Sequence, residues 1–357
     1  MRSFIRCLAL LLLAGPLFCS CRPKDPDGYL YPKFGKTFSG EFDIVAPLDY
    51  RLVRCIFTYK DYIGLICTDG VNPFVLHLVD KKTGEIVADA VTEGRGPGEM
   101  LMPSQVSVDG NLCYLFDGMS LETQVYDLDR ILQGEYGYCW TRMKEDLPWP
   151  PTDVRWSSER ELIFSNRSPV QKDSTRVPSR IVLDVDGRRY SYDEYPVPDP
   201  SRNWVMFSQP SLTVSPDFTK LAVAPGTGGI LEMFDLLDDG IRLRGIGRYL
   251  EPDFPIKNNW YDFSGGDLVL PYFFSDLASS DGRIYCGMEA EERQGKRPGF
   301  PYLAVFDWDG RPLLRVKNSL RIENVAYDVS EDAVYAVLGD AEQSLFVGKM
   351  DMKPFFE

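Results

Sequence analysis

The feature that most constrains the fold is a strand pattern that recurs six times along the chain. Each copy has a turn, a β-rich strand, a loop, a second strand that in most copies ends in Asp, and a third strand after another turn. One more short strand precedes each copy, for example Gln105 to Val108. Four strands at a spacing of ~50 residues are typical of a propeller blade. The copies begin at turns near positions 61, 109, 158, 216, 281 and 331, so the sequence predicts an all-β fold, a six-bladed β-propeller of four-stranded antiparallel blades.

The turn chemistry agrees with this prediction. Seven Asp-Gly pairs lie between strand-like runs, and this dipeptide favours tight turns because it accepts positive φ values. No segment of useful length carries apolar residues at helical spacing without Gly or Pro. The pattern therefore argues against a helical fold.

The last copy lacks its outermost strand, since the chain ends at Glu357 soon after Lys349. A closed ring leaves no exposed sheet edge. We therefore expect an N-terminal strand to complete the last blade, with Glu41 to Val45 as the donor.

The N-terminus has the features of a lipoprotein signal peptide. A short basic start precedes an apolar run from Cys7 to Leu13, which is shorter than the ~20 residues needed to span a bilayer. Cys21 follows the small residue Ser20, whereas Cys19 follows the bulky Phe18. We expect lipidation at Cys21; the alternative is ordinary cleavage that leaves Cys21 as a free thiol.

These features divide the chain into a signal peptide (1–20), a polar, Pro-rich tether (21–33) and the propeller (34–357). Arg22 is not the Asp that retains a lipoprotein in the inner membrane, so an outer-membrane lipoprotein is expected. The side of that membrane is left open.

Net charge excludes one class of partner. Of 39 basic residues, two lie in the signal peptide, which leaves 37 against 53 acidic residues, a net charge of −16. Nucleic acid is not expected as a partner, because its binding needs a basic face. We expect a monomer that contacts the membrane through its lipid only.

Cysteine and histidine usage gives little support for a metal site or a cofactor, and none is expected. No CxxC or Cys/His ligand spacing is present. Cys55 and Cys67 are equidistant from a turn, so they either form a disulfide across a hairpin or are two buried thiols. The single histidine, His77, lies within a strand-like run and is interpreted as structural.

Three Asp-x-Asp pairs resemble acid/base or metal sites but occupy the same turn in different blades. They begin at Asp127, Asp184 and Asp307. Two catalytic carboxylates must lie beside the same reacting atom, and these pairs are spread around a ring. We interpret them as turn residues.

Gly94 to Glu99, with the sequence GRGPGE, resembles the GxGPGE element of the Bacteroidetes lipoproteins that are classed as six-bladed or TolB-like β-propellers. The resemblance covers most of the mature chain as a strand pattern. It implies a lipid-anchored, extracytoplasmic propeller with no established enzymatic activity.

Within this segment Arg95 and Glu99 are the only long polar side chains. Three glycines around Pro97 predict positive φ values or a close approach of the backbone. Arg95 and Glu99 therefore either fix the loop to a neighbouring blade or contact a ligand.

Loops that join the outer strand of one blade to the inner strand of the next cross one face towards the channel. They cover 93–104, 140–153, 195–210 and 245–271 and are rich in Trp and Arg, as binding surfaces are. Packing of these loops on the propeller is the alternative. The further candidate ligand-binding residues are Arg142, Trp149, Arg202, Trp204, Arg248, Asn259 and Trp260.

The sequence thus favours a binding or scaffold protein for a peptide, a glycan or an envelope protein. The alternative is a propeller hydrolase or lyase that uses carboxylates and Arg at the channel mouth. Two carboxylates together in a pocket at that mouth would favour the enzyme.

Overall fold

The computed structural model describes residues 33–50, 52–68, 72–137, 140–143, 151–165, 179–250, 254–262, 264, 273–289 and 299–357. Six four-stranded antiparallel sheets form a ring in chain order, which confirms the predicted six-bladed β-propeller. Within these residues no helix has the length and apolarity needed to cross a membrane.

Two short strands precede the first complete blade, namely β1 (Thr37–Ser39) and β2 (Asp43–Leu48). Blade one consists of β3 (Val53–Tyr59), β4 (Tyr62–Cys67), β5 (Phe74–Asp80) and β6 (Ile86–Thr92). Blade two consists of β7 (Pro103–Asp109), β8 (Leu112–Asp117), β9 (Glu122–Asp127) and β10 (Trp140–Met143). Blade three consists of β11 (Asp153–Trp156), β12 (Arg160–Phe164), β13 (Ile181–Val185) and β14 (Arg188–Tyr192).

Blade four consists of β15 (Ser211–Val214), β16 (Lys220–Ala224), β17 (Gly229–Leu237) and β18 (Gly240–Leu250). A small hairpin of β19 (Ile256–Lys257) and β20 (Trp260–Tyr261) follows. Blade five consists of β21 (Phe274–Ser279), β22 (Arg283–Met288), β23 (Tyr302–Asp307) and β24 (Pro312–Lys317). Blade six contains β25 (Arg321–Asp328), β26 (Ala333–Gly339) and β27 (Leu345–Asp351), and short helices cover Leu128–Leu132, Pro200–Met206 and Lys353–Phe356.

The N-terminal strand β2 closes the ring, as the sequence predicts. It pairs antiparallel with β27, the last strand of the chain, and becomes the outermost strand of blade six. Its bounds, 43–48, lie slightly later than the expected 41–45. Closure therefore joins the two ends of the chain in one sheet.

A second N-terminal strand, not predicted from the sequence, lies on blade five. β1 pairs parallel with β24 and makes this blade five-stranded. Just before it, the Phe34 ring packs 5.4 Å from the Phe306 ring and 6.3 Å from the Tyr249 ring of blade four. The chain is thus attached to the propeller from Phe34 onwards.

The core lies within and between the blades, where apolar strand faces pack against each other. Two ion pairs are buried between blades. Lys81 of blade one meets Asp328 of blade six, and Arg180 of blade three donates to Glu232 of blade four at 3.0 Å. The Arg180 guanidinium also lies 4.4 Å from the Phe207 ring centroid.

The Asp-x-Asp pairs have the predicted turn role. Asp127 accepts N–H groups at the start of the helix that begins at Leu128. Asp184 accepts the Gly187 N–H at 2.9 Å, and Asp307 accepts the Arg311 N–H at 2.8 Å. Cys55 and Cys67 are buried free thiols, so of the two alternatives the disulfide is not formed.

Candidate functional site

The strongest candidate site is a central channel that all six blades share. The innermost strands β3, β7, β11, β15, β21 and β25 surround a cavity of about 460 Å³. This volume is within the range of small-ligand sites. Each of these strands runs from the face with the long interblade loops, here called the loop face, to the face with the β-hairpin turns, here called the hairpin face.

The polar residues of the channel concentrate in its loop-face half. This upper set, as we call it, lines the cavity with Arg54, Gln105, Arg155, Ser211, Ser275, Asp276 and Asn324. Its members lie in the inner strands, one or more from every blade, and all except Arg155 lie in the first half of the strand. The repeat places these positions at a similar height, which is why one ring of side chains forms.

Four of the six inner strands bend at this height. A β-bulge interrupts the register between Val53 and Cys55, and bulges occur at matching places in the inner strands of blades two, five and six. β-bulges re-aim side chains and are common next to functional sites. Arg54 and Asp276 both lie in such bulges.

Arg155 is the central cation of the upper set. Its Nη1 donates to the Val106 carbonyl at 2.8 Å, and its Nη2 donates to the Leu212 carbonyl at 2.9 Å. The same Nη2 lies 3.0 Å from Gln105 Oε1 and 3.1 Å from Asp153 Oδ2. One guanidinium therefore joins the inner strands of blades two, three and four.

Similar hydrogen bonds cross the remaining blade boundaries. Ser211 Oγ donates to the Ser275 carbonyl at 3.1 Å, which links blades four and five. The Val325 N–H donates to Asp276 Oδ2 at 3.2 Å, which links blades five and six. Asn324 Nδ2 donates to the Arg54 carbonyl at 3.1 Å and links blades six and one. Cys55 Sγ donates to the Ser104 carbonyl of β7 at 3.3 Å, which links blades one and two. The channel wall is thus hydrogen-bonded around the ring.

Two carboxyl groups in or beside the channel have raised pKa values. Burial raises the pKa of Asp153 to about 6, although the Arg155 guanidinium opposes this shift. Burial also raises the pKa of Asp276 to about 6, against hydrogen bonds from the Leu277 and Val325 N–H groups. Carboxyl groups with such pKa values cluster at functional sites.

Cys55 also lines the channel but is not a nucleophile. Burial and then the Asp276 charge raise the pKa of its thiol to about 12, so the reactive thiolate is not formed at neutral pH. His77 is fully buried in blade one, where its Nδ1 lies 2.6 Å from Asp89 Oδ1. Among the described residues, no three His, Cys, Asp or Glu side chains are placed to hold a metal ion.

A second cavity, of about 670 Å³, opens on the hairpin face. Tyr59, Tyr327 and Val329 line it, together with the Lys60–Asp129 ion pair at its rim. Lys60 Nζ lies 2.6 Å from Asp129 Oδ1, and both side chains are exposed to a large extent. Lys60 and Asp129 are therefore already paired with each other.

The GRGPGE loop does not line the channel. It contacts β9, the third strand of blade two, through Gln124 Nε2 to the Glu99 carbonyl at 3.1 Å. The Glu99 carboxylate turns back and accepts the Gly96 N–H at 2.6 Å. A side chain at Gly94 would collide with this carboxylate, and Gly98 has a φ of 79°, as the glycines predict. Arg95 is exposed.

Four other candidates come together beside blade four, outside the channel. The Pro200–Met206 helix lies against the β19–β20 hairpin, and Ser201 Oγ donates to Asn259 Oδ1 at 2.8 Å. Arg202 donates to the Phe254 carbonyl at 3.1 Å and covers the Phe254 ring. Trp204 is half-buried in the core, whereas Trp260 is 49% exposed.

The remaining candidates are not part of this group. Arg248 is buried on β18. Strand β10 contains Arg142, whose side chain is outside the described residues, as are Trp149 and the proposed lipidation site Cys21. None of the described candidates lines the central cavity.

Sequence reasoning missed Asp153, Arg155 and Asp276. They lie in predicted strands or in strands that flank predicted ones, whereas the candidate binding residues come from the loops. The signal that could have identified these residues is a charged side chain within the first strand of a blade, because side chains of that strand face either the channel or the core.

Comparison with solved structures supports the fold. A protein of Bacteroides fragilis described as exported has 12% identity and a TM-score of 0.57, with 89% of this chain and 99% of that chain covered. A DUF4221 family member from Bacteroides vulgatus has 8% identity and a TM-score of 0.51, with 89% and 94% covered. The WD40 repeats of RRP9 have 8% identity and a TM-score of 0.52, with 88% and 99% covered.

At these identities the likeness shows the propeller fold and nothing finer. No protein-family model matches the sequence, and no curated protein matches it.

Proposed function

We propose that this chain is a lipid-anchored, extracytoplasmic propeller that binds a polar group of a peptide, glycan or envelope protein in the loop-face half of its channel. The observation that supports this most is the upper set. Arg54, Arg155 and Asp276 come from three different blades and line one cavity of about 460 Å³. Charged side chains are costly to bring together away from bulk water, and a purely structural channel does not need them.

The location rests on the N-terminal sequence, and the exported description of one similar structure agrees with it. Cys21→Ala should release the protein from the membrane fraction into the soluble extracytoplasmic fraction. Immunoblots of fractionated cells measure this. A variant that still sediments with membranes would contradict the anchor but leave the binding role standing.

Native mass spectrometry of the protein, incubated with peptides and oligosaccharides extracted from the envelope, tests the binding role. We expect a small bound species that is lost in Asp276→Asn. Asp281→Asn is the matched control, because Asp281 is exposed on the hairpin face at the opposite end of the channel. Equal loss in both variants, or no bound species, would contradict a site in the loop-face half.

One observation favours the alternative of a hydrolase or lyase. Asp153 and Asp276 both have a pKa of about 6, and general acid/base catalysis works best with groups that titrate near neutral pH. Asp153, however, is only 1% exposed. Turnover of glycoside or polyuronide substrates that disappears in Asp276→Asn and persists in Asp281→Asn would establish the enzyme.

A further inference from the structure

We infer that the loop-face half of the channel recognises a primary ammonium group, such as the amino terminus of a peptide, through the carboxylate of Asp276. This inference deepens the proposed function and rests on it. It selects one chemistry among the peptide, glycan and protein partners.

The first step is the supply of acceptors. Asp276 lines the cavity. It accepts the Leu277 and Val325 N–H groups and a hydrogen bond from the Asn324 side chain. A carboxylate has about four acceptor positions, so Asp276 keeps capacity for a ligand. Asp153 Oδ1 is buried and has no hydrogen-bond partner within the described residues.

The second step is direction. Asp153 lies two residues before Arg155 on the same strand, β11. Side chains two apart in a strand point to the same face, and Arg155 lines the cavity. Asp153 therefore lies on the same strand face as Arg155, but it is 1% exposed and is not one of the residues that line the cavity, so its charge acts on a ligand without contact.

The third step is the state of the cations. Arg155 already spends its Nη groups on two backbone carbonyls, Gln105 and Asp153. Arg54 Nε donates to Thr68 Oγ1 at 2.7 Å. Both Nη groups of Arg155 are thus engaged, although its buried Nε has no partner within the described residues, and the open acceptor positions of Asp276 favour a ligand that donates hydrogen bonds. An anionic ligand held by Arg54 is the competing outcome.

The acidity of the two carboxyl groups agrees with this geometry. Their pKa values are raised because burial outweighs the neighbouring positive charge. A ligand ammonium would supply the missing compensation. Protonation and ligand binding therefore compete, so affinity should fall as the pH is lowered through about 6.

The test uses three mixtures of all natural dipeptides without lysine, incubated with the full mature protein: uncapped, amidated at the carboxyl end, and acetylated at the amino end. Equilibrium dialysis and mass spectrometry measure what is retained. We expect the uncapped and amidated mixtures to be retained at pH 7.5 and the acetylated mixture about tenfold less or not at all. Retention of the first two should decrease at pH 5.

Three variants assign the result to the site. Asp276→Asn should reduce retention of the amidated mixture about tenfold, whereas Asp281→Asn, on the hairpin face, should leave that mixture unchanged. Arg54→Gln tests for the competing anion site. Circular dichroism of all three variants verifies that they fold.

Retention of acetylated peptides, or loss of the amidated mixture in Arg54→Gln alone, would overturn the inference in favour of an anion site. If no dipeptide mixture is retained but an oligosaccharide binds in an Asp276-dependent way, the ammonium inference fails while the proposed function stands. Absence of any Asp276-dependent ligand removes both.

Discussion

The carboxyl groups in the loop-face half of the channel and those on the hairpin face have pKa values that are shifted in opposite directions. In the loop-face half, Asp153 and Asp276 have raised pKa values because burial dominates. On the hairpin face, hydrogen bonds from the Thr83 and Lys82 N–H groups lower the pKa of Asp80. Burial alone would raise the pKa of Asp328 there, but Lys81 and Ser330 together lower it.

The difference follows from where each residue sits on the chain. A carboxylate in a turn meets several backbone N–H groups that no strand uses, so its charge is satisfied by the turn itself. Asp276 within an inner strand accepts two backbone N–H groups as well, but burial outweighs them and raises its pKa. Acidic residues in the turns of the hairpin face thus stabilise the fold as carboxylates, whereas burial disfavours the charged form of Asp153 and Asp276.

Replacement of Arg155 gives the largest expected effect. Arg155→Met removes hydrogen bonds among three blades and leaves Asp153 buried without its cation, so the free energy of unfolding should fall by about 3–5 kcal/mol. Urea unfolding at neutral pH measures it. Arg130→Met is the control, because the Arg130–Glu135 pair is 54% exposed on both sides and should contribute about 0–1 kcal/mol. Similar losses of stability in the two variants would contradict the proposed difference between the loop-face half of the channel and the hairpin face.

The pH dependence of stability should have opposite signs at the two ends. The folded pKa of Asp153, about 6, lies above its ordinary value of 3.8, so its stabilising contribution is full below pH ~4 and is lost as the pH rises through 6. Asp153→Asn should flatten this dependence by about 2–3 kcal/mol, since one pKa unit corresponds to ~1.4 kcal/mol.

The folded pKa of Asp328 is lowered instead. Its contribution is present above pH ~4 and is lost as the pH falls below that value. Asp328→Asn should therefore differ most from the wild type at neutral pH and least in acid. Unfolding curves of wild type and both variants from about pH 2 to 8 measure the two slopes. Slopes of the same sign would contradict a raised pKa of Asp153 together with a lowered pKa of Asp328.

The smallest effect should come from the outer part of the loop face. Glu99→Ala leaves the half-buried Gly96 N–H without its carboxylate, so the protein should lose about 1 kcal/mol of stability. Ligand retention should be unchanged, because the loop contacts β9 rather than the channel. Thermal unfolding and equilibrium dialysis test both expectations. Loss of ligand with an unchanged melting temperature would move the site from the channel to this loop.

Much of the fold could be predicted because each blade repeats the same sequence pattern of strands and turns. The turns that Asp127, Asp184 and Asp307 stabilise were predicted from their positions between strands, and the missing strand of the last blade pointed to the N-terminus. Strand β1 could not be predicted in this way. It has three residues and pairs with a strand about 280 positions away, and so short a segment carries no periodicity.

The site was harder to predict because it consists of one or two residues from each of six distant strands. Trp204 and Arg202 looked like binding residues by type, yet they pack a helix beside blade four. Asp276 did not look like a binding residue by type. Its role depends on a β-bulge and on the nearby charge of Arg155, which lies over a hundred residues earlier in the chain. Residue type alone does not reveal which side chains a ring will bring together.

The pairing of β2 with β27 also sets the order of events in folding. Asp43 lies opposite Lys349, so this contact closes a loop of about 300 residues, and contacts of such sequence separation slow folding. Blade six cannot be completed until nearly the whole chain has been synthesised and, if it is exported, translocated. Until then β2 lacks its partner strand and presents an open edge that can pair with other chains. The protein should therefore depend on chaperones late in its biogenesis, after most of its blades already have their partners.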